Sequence, residues 1–131
     1  MIEINVKTSY RQQMIDITGD LDRVVKNSGV EDGVVVIFNP HTTGAVTINE
    51  GADPAVREDI LEILSKQYPV SSKYRHMEGN SDAHIKAAII GSDRTVILKD
   101  RKLVLGTWQK VFFCEFDGPR TRKIYIKIIP G

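Results

Sequence analysis

The sequence predicts an α+β fold, a single domain over residues 1–131 with a mostly antiparallel β-sheet core and about three helices. Three observations predict it. The chain opens with alternating apolar and polar residues, as half-buried strands do. Two later segments carry helical spacing between a cap and a breaker. From Thr95 onward the pattern is that of strands joined by short turns.

Ile2, Ile4 and Val6 fall on one face of the first strand, 2–7, and Glu3, Asn5 and Lys7 on the other. Residues 12–18 read as a second strand, with Ile15 and Ile17 in phase and a turn near Ser9–Arg11 between the two. A helix follows over 19–28. Thr18 or Asp20 is its cap, Leu21, Val24, Val25 and Ser28 share a face, and Gly29 stands at the C′ position. The valine-rich run Gly33–Asn39 reads as a central strand covered on both faces, ended by Pro40. Ala45–Asn49 is a further strand. In the next helix, Asp53 caps, Pro54 is the first helical residue, and Val56, Ile60, Ile63 and Leu64 keep helical spacing to about Tyr68. Residues 69–80 are polar and irregular, a long connection of the kind that often carries function. Ser81 caps a helix over 82–90, although the isoleucines and alanines of HIKAAII suit a strand equally, and Gly91 ends it. TVILK, KLVLG, TWQKVFFCEF and RKIYIKIIP then read as an antiparallel meander, turning at KDRK, Gly106 and Asp117–Arg120.

Composition narrows the function classes. With 18 Lys+Arg against 17 Asp+Glu the net charge is +1, which excludes a polybasic arm or an acidic tail. Aromatics at 7% argue against a base-stacking platform, so no nucleic-acid partner is expected. No apolar run approaches the roughly 20 residues of a membrane span, so no membrane partner is expected either. The first residues read as a strand rather than a signal core. Cys114 is the only cysteine, which points to a cytoplasmic protein, and between phenylalanines it reads as a small core residue rather than a nucleophile.

The chemistry-bearing residues lie in turns and at element ends. His41 opens HTTGAV, His76 lies in the long polar connection, and His84 is in the first turn of the helix that follows. Three imidazoles complete an open site for zinc or a similar ion, or carry protons near neutral pH. Their spacing is no known metal signature, and the alternative is three unrelated surface histidines. Thr42 and Thr43 offer hydroxyls for an anion beside Gly44. Asn80 and Ser81 lead amides into a helix N-terminus, which favours phosphate or simply serves as a cap. Glu78 and Asp82 flank that start as carboxylates, and with His41 and His84 they are the candidate catalytic groups. After Gly106, Thr107 and Gln109 need partners beside a buried strand and are counted with the anion-binding groups. Alternation puts Glu115 on a mixed face, as the partner of an arginine. Arg120 and Arg122 are either a surface salt bridge or a fork for an oxyanion, with Arg120 the chosen clamp.

The stretches NPHTTGAVTINEGADPAVREDI (39–60), YRHMEGNSDAHIKAAIIG (74–91) and KLVLGTWQKVFFCEFDGPRTRK (102–123), with an N-terminal hairpin before them, resemble the YjbQ family, members of which are labelled secondary thiamine-phosphate synthase. The resemblance implies a compact α+β fold that associates as a homotrimer, with its polar motifs clustered near subunit boundaries. It implies an enzyme that couples hydroxymethylpyrimidine diphosphate to thiazole phosphate and releases pyrophosphate, as a main or side activity. It also implies that His41, His76 and His84 share one site. The alternative is a non-catalytic protein that binds a metal or a small phosphorylated metabolite in the same pocket. Three histidines suit zinc or a late transition metal. Magnesium would arrive with a diphosphate substrate, and no aspartate-rich magnesium motif is present.

Overall fold

A computed structural model describes all 131 residues. Eight strands and three helices follow in the order β1 (Ile2–Lys7), β2 (Gln13–Asp16), α1 (Thr18–Ser28), β3 (Gly33–Phe38), β4 (Gly44–Glu50), α2 (Pro54–Gln67), α3 (Ser81–Ile90), β5 (Asp93–Lys99), β6 (Lys102–Leu103), β7 (Gln109–Glu115) and β8 (Thr121–Pro130). They make a five-stranded sheet, β1-β8-β3-β5-β6, and a three-stranded sheet, β2-β7-β4. All strand pairings are antiparallel. No helix is long and apolar enough to cross a membrane.

The two sheets face each other, and β7 shows why they must. Its Val111 and Phe113 point into the space between the sheets, against Val35, Ile37, Ile124 and Ile126, while Leu21 and Val25 of α1 close one end. Phe112 and Cys114, with Phe116 just beyond the strand, point the other way. They meet Ala83 and Ala87 of α3 and, at the margin, Ile60, Leu61 and Leu64 of α2. The small alanines let α3 lie close to the sheet. Cys114 is buried there, and burial pushes its thiol up to about 12, so it packs as an inert core residue.

Segment 82–90 is helical, and Asp53 caps α2 through the Ala55 amide at 2.9 Å. Other expectations are corrected. The first two strands form no hairpin, since β1 pairs with β8 and β2 with β7, in different sheets. Residues between them are drawn to the helices: Arg11 bonds Asp82, and Gln12 bonds Ser65. The last four strands are likewise no meander, because only β5 and β6 are neighbours, and of KLVLG only Lys102–Leu103 is strand. Neither Thr18 nor Asp20 caps α1. Thr18 Oγ1 accepts the Val111 amide instead, and Asp16 accepts the Thr18 amide. Asn80, not Ser81, precedes α3, and its side chain turns away to Asp117. Strand β3 is buried on its inner face only. Both outer helices lie on the smaller sheet, so Phe38, and Ile97 and Ile129 beside Val34, stay exposed.

Candidate functional site

The site is built where β4, α3 and the β7–β8 connection meet. The turn after β3 is shaped by Asn39, which is buried. Its Nδ2 donates to the carbonyls of His41 and Gly44 at 3.0 and 2.7 Å, and its Oδ1 accepts the His41 amide at 3.0 Å. That turn presents His41, Thr42 and Thr43. Opposite them the first turn of α3 presents His84, and beyond the turn after β7 stands Arg120.

Beneath this surface lies a buried ion pair that ties the two sheets together. Arg122 of β8 donates from Nε to Glu115 Oε1 of β7 at 2.8 Å, and its Nη2 bonds Glu115 Oε2 and, at 2.9 Å, Thr43 Oγ1. Glu115 also accepts the Thr8 hydroxyl at 2.9 Å and the Asp117 amide at 3.2 Å. Every carboxylate oxygen is therefore bonded more than once, which is what a charge with no exposed surface requires. The expected arginine partner of Glu115 is present, but as a core pair rather than a surface salt bridge. Gly118 is needed beside it, because a Cβ there would lie 2.4 Å from the Tyr10 carbonyl and 2.8 Å from Glu115 Cγ.

His41 is fixed by the same strand. Its Nε2 accepts the Lys123 amide at 2.9 Å, so that nitrogen is unprotonated and the proton of the neutral ring sits on Nδ1. Burial, reinforced by the nearby Arg122 charge, lowers its pKa below the ordinary histidine value. At pH 7 His41 is thus a neutral N–H donor. His84 makes no side-chain hydrogen bond within the chain. His76 packs its ring edge against it, with centroids 5.4 Å apart at an interplanar angle of 88°. Arg120 spends Nε and Nη2 on the Asp117 carbonyl and carboxylate, both at 2.8 Å, and keeps further N–H groups free.

Two adjoining clefts share His41, Thr42 and His84. The polar one, about 370 Å³, adds Thr43, Glu78, Asn80 and Arg120. The less polar one, about 350 Å³, adds Phe38, Ala87 and Ala88. Most of the sequence-derived site residues therefore meet. Others do not. His76 lines neither cleft, and its Nε2 lies 3.7 Å from Glu78, too far for a hydrogen bond. Ser81 is the first helical residue and lines neither cleft. Asp82 is buried behind α3, where Arg11 and Lys86 bond it at 3.0 Å, so it carries no reacting proton. Burial alone would raise its carboxyl, but those two cations outweigh it and hold the pKa below the usual value. Thr107 and Gln109 lie at the far end of β7 from Glu115, about 20 Å away at roughly 3.3 Å per residue, and line a different cleft.

The metal expectation meets a specific obstacle. No group of three or more His, Cys, Asp or Glu side chains in the chain is arranged to hold a metal ion. The Nε2 lone pair of His41 is already taken by Lys123. Sequence reasoning missed Lys86, which is buried beside Asp82. The i, i+4 spacing of the two on α3 was its signal. It also missed Asn39, which the Asn-Pro turn pattern marks.

Comparison with known proteins places this geometry. The profile described as UPF0047 protein YjbQ-like matches residues 2–131. A UPF0047 protein of Methanocaldococcus jannaschii is 49% identical over 98% of this chain and 94% of its own length. The UPF0047 protein YugU of Bacillus subtilis is 46% identical over 96% of both chains. The crystal structure of an uncharacterised conserved protein of the YjbQ/UPF0047 family from Clostridium acetobutylicum superposes with a TM-score of 0.96 at 53% identity, covering 98% of this chain and all of that one. A hypothetical protein from Aeropyrum pernix superposes at 0.94 with 35% identity, covering 98% of this chain and 97% of that one. With the match running from the first strand to the last and through every wall of the histidine cleft, the chain belongs to the UPF0047, YjbQ-like, family.

Proposed function

We propose that the chain is a small-molecule enzyme acting on a phosphorylated or diphosphate substrate, with the His41–His84 cleft as its active site. The observation that carries this reading is that two histidines from different elements line both a polar and a less polar cleft. Thiamine-phosphate synthesis, the activity the family resemblance suggests, is the reaction to test. In it the bond from the pyrimidine methylene carbon to the diphosphate oxygen breaks and pyrophosphate leaves with the electron pair. The thiazole nitrogen supplies the pair for the new C–N bond. The ring would occupy the side of Phe38, Ala87 and Ala88, and the diphosphate the side of Arg120 and Thr42. His41 Nδ1–H would donate a hydrogen bond to the departing oxygen, and His84 would protonate the leaving pyrophosphate and take its proton back from solvent. No step is routed through a metal, because the donor set does not fit one. The working species in this reading is a homotrimer.

Single-turnover assay of the two precursors tests it. His84→Ala is expected to lower the rate by about 10²–10⁴-fold, the usual span for a lost acid–base group, with the fold intact by circular dichroism. Undiminished turnover in that variant would assign the activity to a contaminant. A second reading uses the same donors, since His41, Thr42 and Arg120 suit an anion with or without turnover. In it, the protein binds a phosphorylated metabolite in the same cleft without turning it over. Calorimetric binding of thiazole phosphate with no product formed would select that reading.

A further inference from the structure

We propose a second anion site, for a small compound carrying a di- or triphosphate, in the basic cleft between α1, the β5–β6 turn and the start of β7. This cleft, about 490 Å³, shares no residue with the histidine clefts. Lys26, in the last turn of α1, Arg101 from the turn, Lys102 of β6 and Lys110 of β7 line it, with Asp22 as the only carboxylate among the lining residues. Four cations against one anion leave a surplus of three positive charges, in a chain whose net charge is only +1. The rest of the surface is therefore net negative, and the field of this cleft stands out against it.

Three of the four cations are also unspent. Lys26, Lys102 and Lys110 make no ion pair, and Arg101 has only an exposed contact with Glu31 at 3.3 Å. In the histidine cleft, by contrast, Arg120 and Arg122 are each committed to a carboxylate. Neutral donors are aimed as well. Gln109 Oε1 accepts the Gly106 amide at 2.8 Å, which turns its amide nitrogen outward as a donor, and Thr107 adds a hydroxyl. A Cβ on Gly106 would press to 3.3 Å of that oxygen, so glycine keeps the bond short. Lysines on flexible stems beside a fixed amide suit a compact ligand with several charged oxygens. The charge is confined to one cleft of a near-neutral chain, which disfavours an extended nucleic acid.

Thr107, Gln109 and Lys110 line this cleft and neither histidine cleft, so their backbone amides report on it by NMR. Inorganic pyrophosphate titrated into the whole protein at low ionic strength is expected to shift these amide resonances saturably. Raising the ionic strength to about 0.15 M, where the Debye length is about 8 Å, should weaken it several-fold. The double variant Lys102→Glu/Lys110→Glu, whose fold is checked by circular dichroism, should bind at least about tenfold more weakly. Arg120→Ala should leave this response unchanged. A flat titration at millimolar pyrophosphate, equal binding by the double variant, or loss of the signal in Arg120→Ala would overturn the proposal. These outcomes do not depend on turnover at the histidine cleft, so either reading can fail without the other.

Discussion

His41 is constrained twice, by an amide that occupies Nε2 and by surroundings that disfavour its cation. Its folded pKa lies below the unfolded value, so the unfolded chain takes the proton first as pH falls. The sign follows: this residue's contribution to stability is complete above about pH 6.5 and is lost as pH drops from there toward the lower folded value. Nitrogen-detected NMR should show the Nδ1–H tautomer at pH 7 and a midpoint below 6.5; a midpoint at or above the ordinary histidine value would contradict the geometry. Close to it, Glu115 and Arg122 give a larger effect. Glu115→Ala leaves a buried guanidinium without its carboxylate and with Thr43 as its remaining partner, and should cost about 3–5 kcal/mol, measured by urea unfolding. Arg122→Met added to it removes the stranded charge and should recover much of the loss. Recovery is the discriminating result, since a mere cavity would grow worse.

Helix α3 carries His84 on one side and, on the other, a carboxylate locked between Arg11 and Lys86. The helix is thus held by charge as well as by Ala83 and Ala87. The Asp82 pKa is depressed, so its contribution is present above its unfolded value near 3.9 and disappears as pH falls through the lower folded value. Asp82→Asn should lower stability at pH 7 by about 3–5 kcal/mol, because it leaves Lys86 charged and buried, and it should flatten the acid limb of the stability profile. Equal acid profiles for the two proteins would argue against the clamp. Elements such as α2 and β7 were legible because their signals are local: Asp53 before Pro54, and the alternation of Phe112, Cys114 and Phe116. Strand partners were not. Nothing near Lys7 says that the chain will cross to the other sheet, and the bond that anchors the crossing joins Thr8 to Glu115, 107 residues away. The site divides the same way. His41, Thr42, Thr43, Glu78, Asn80 and Arg120 sit in turns and connections and His84 in the first turn of a helix, places that local signals mark. Thr107 and Gln109 carried equally good donors, but at the opposite end of β7.

At the scale of the molecule, layering leaves one sheet half-covered. Helices α2 and α3 both pack on the smaller sheet, and the outer face of the larger sheet has no cover within the chain. On it, Ile97 and Ile129 flank Val34 in register, one row across three strands, and they are 60% and 47% exposed. Phe38, on the same face, is 45% exposed and also lines the less polar half of the histidine cleft. An apolar row is costly to leave in water, and Phe38 at the lip of the cleft lies further along the same face, past Thr95, Val36 and Lys127; burying that face between copies of the chain would cover both. The homotrimer proposed above accounts for both. Light scattering at micromolar concentration should give three chains per particle. Ile97→Glu is expected to shift it to the monomer while the far-ultraviolet circular dichroism stays native, since the side chain points away from the core. If this face closes the cleft, the monomer should also lose affinity for the phosphorylated substrate. A native-like trimer in Ile97→Glu would move the interface to another face, and the exposed row would then need a different partner.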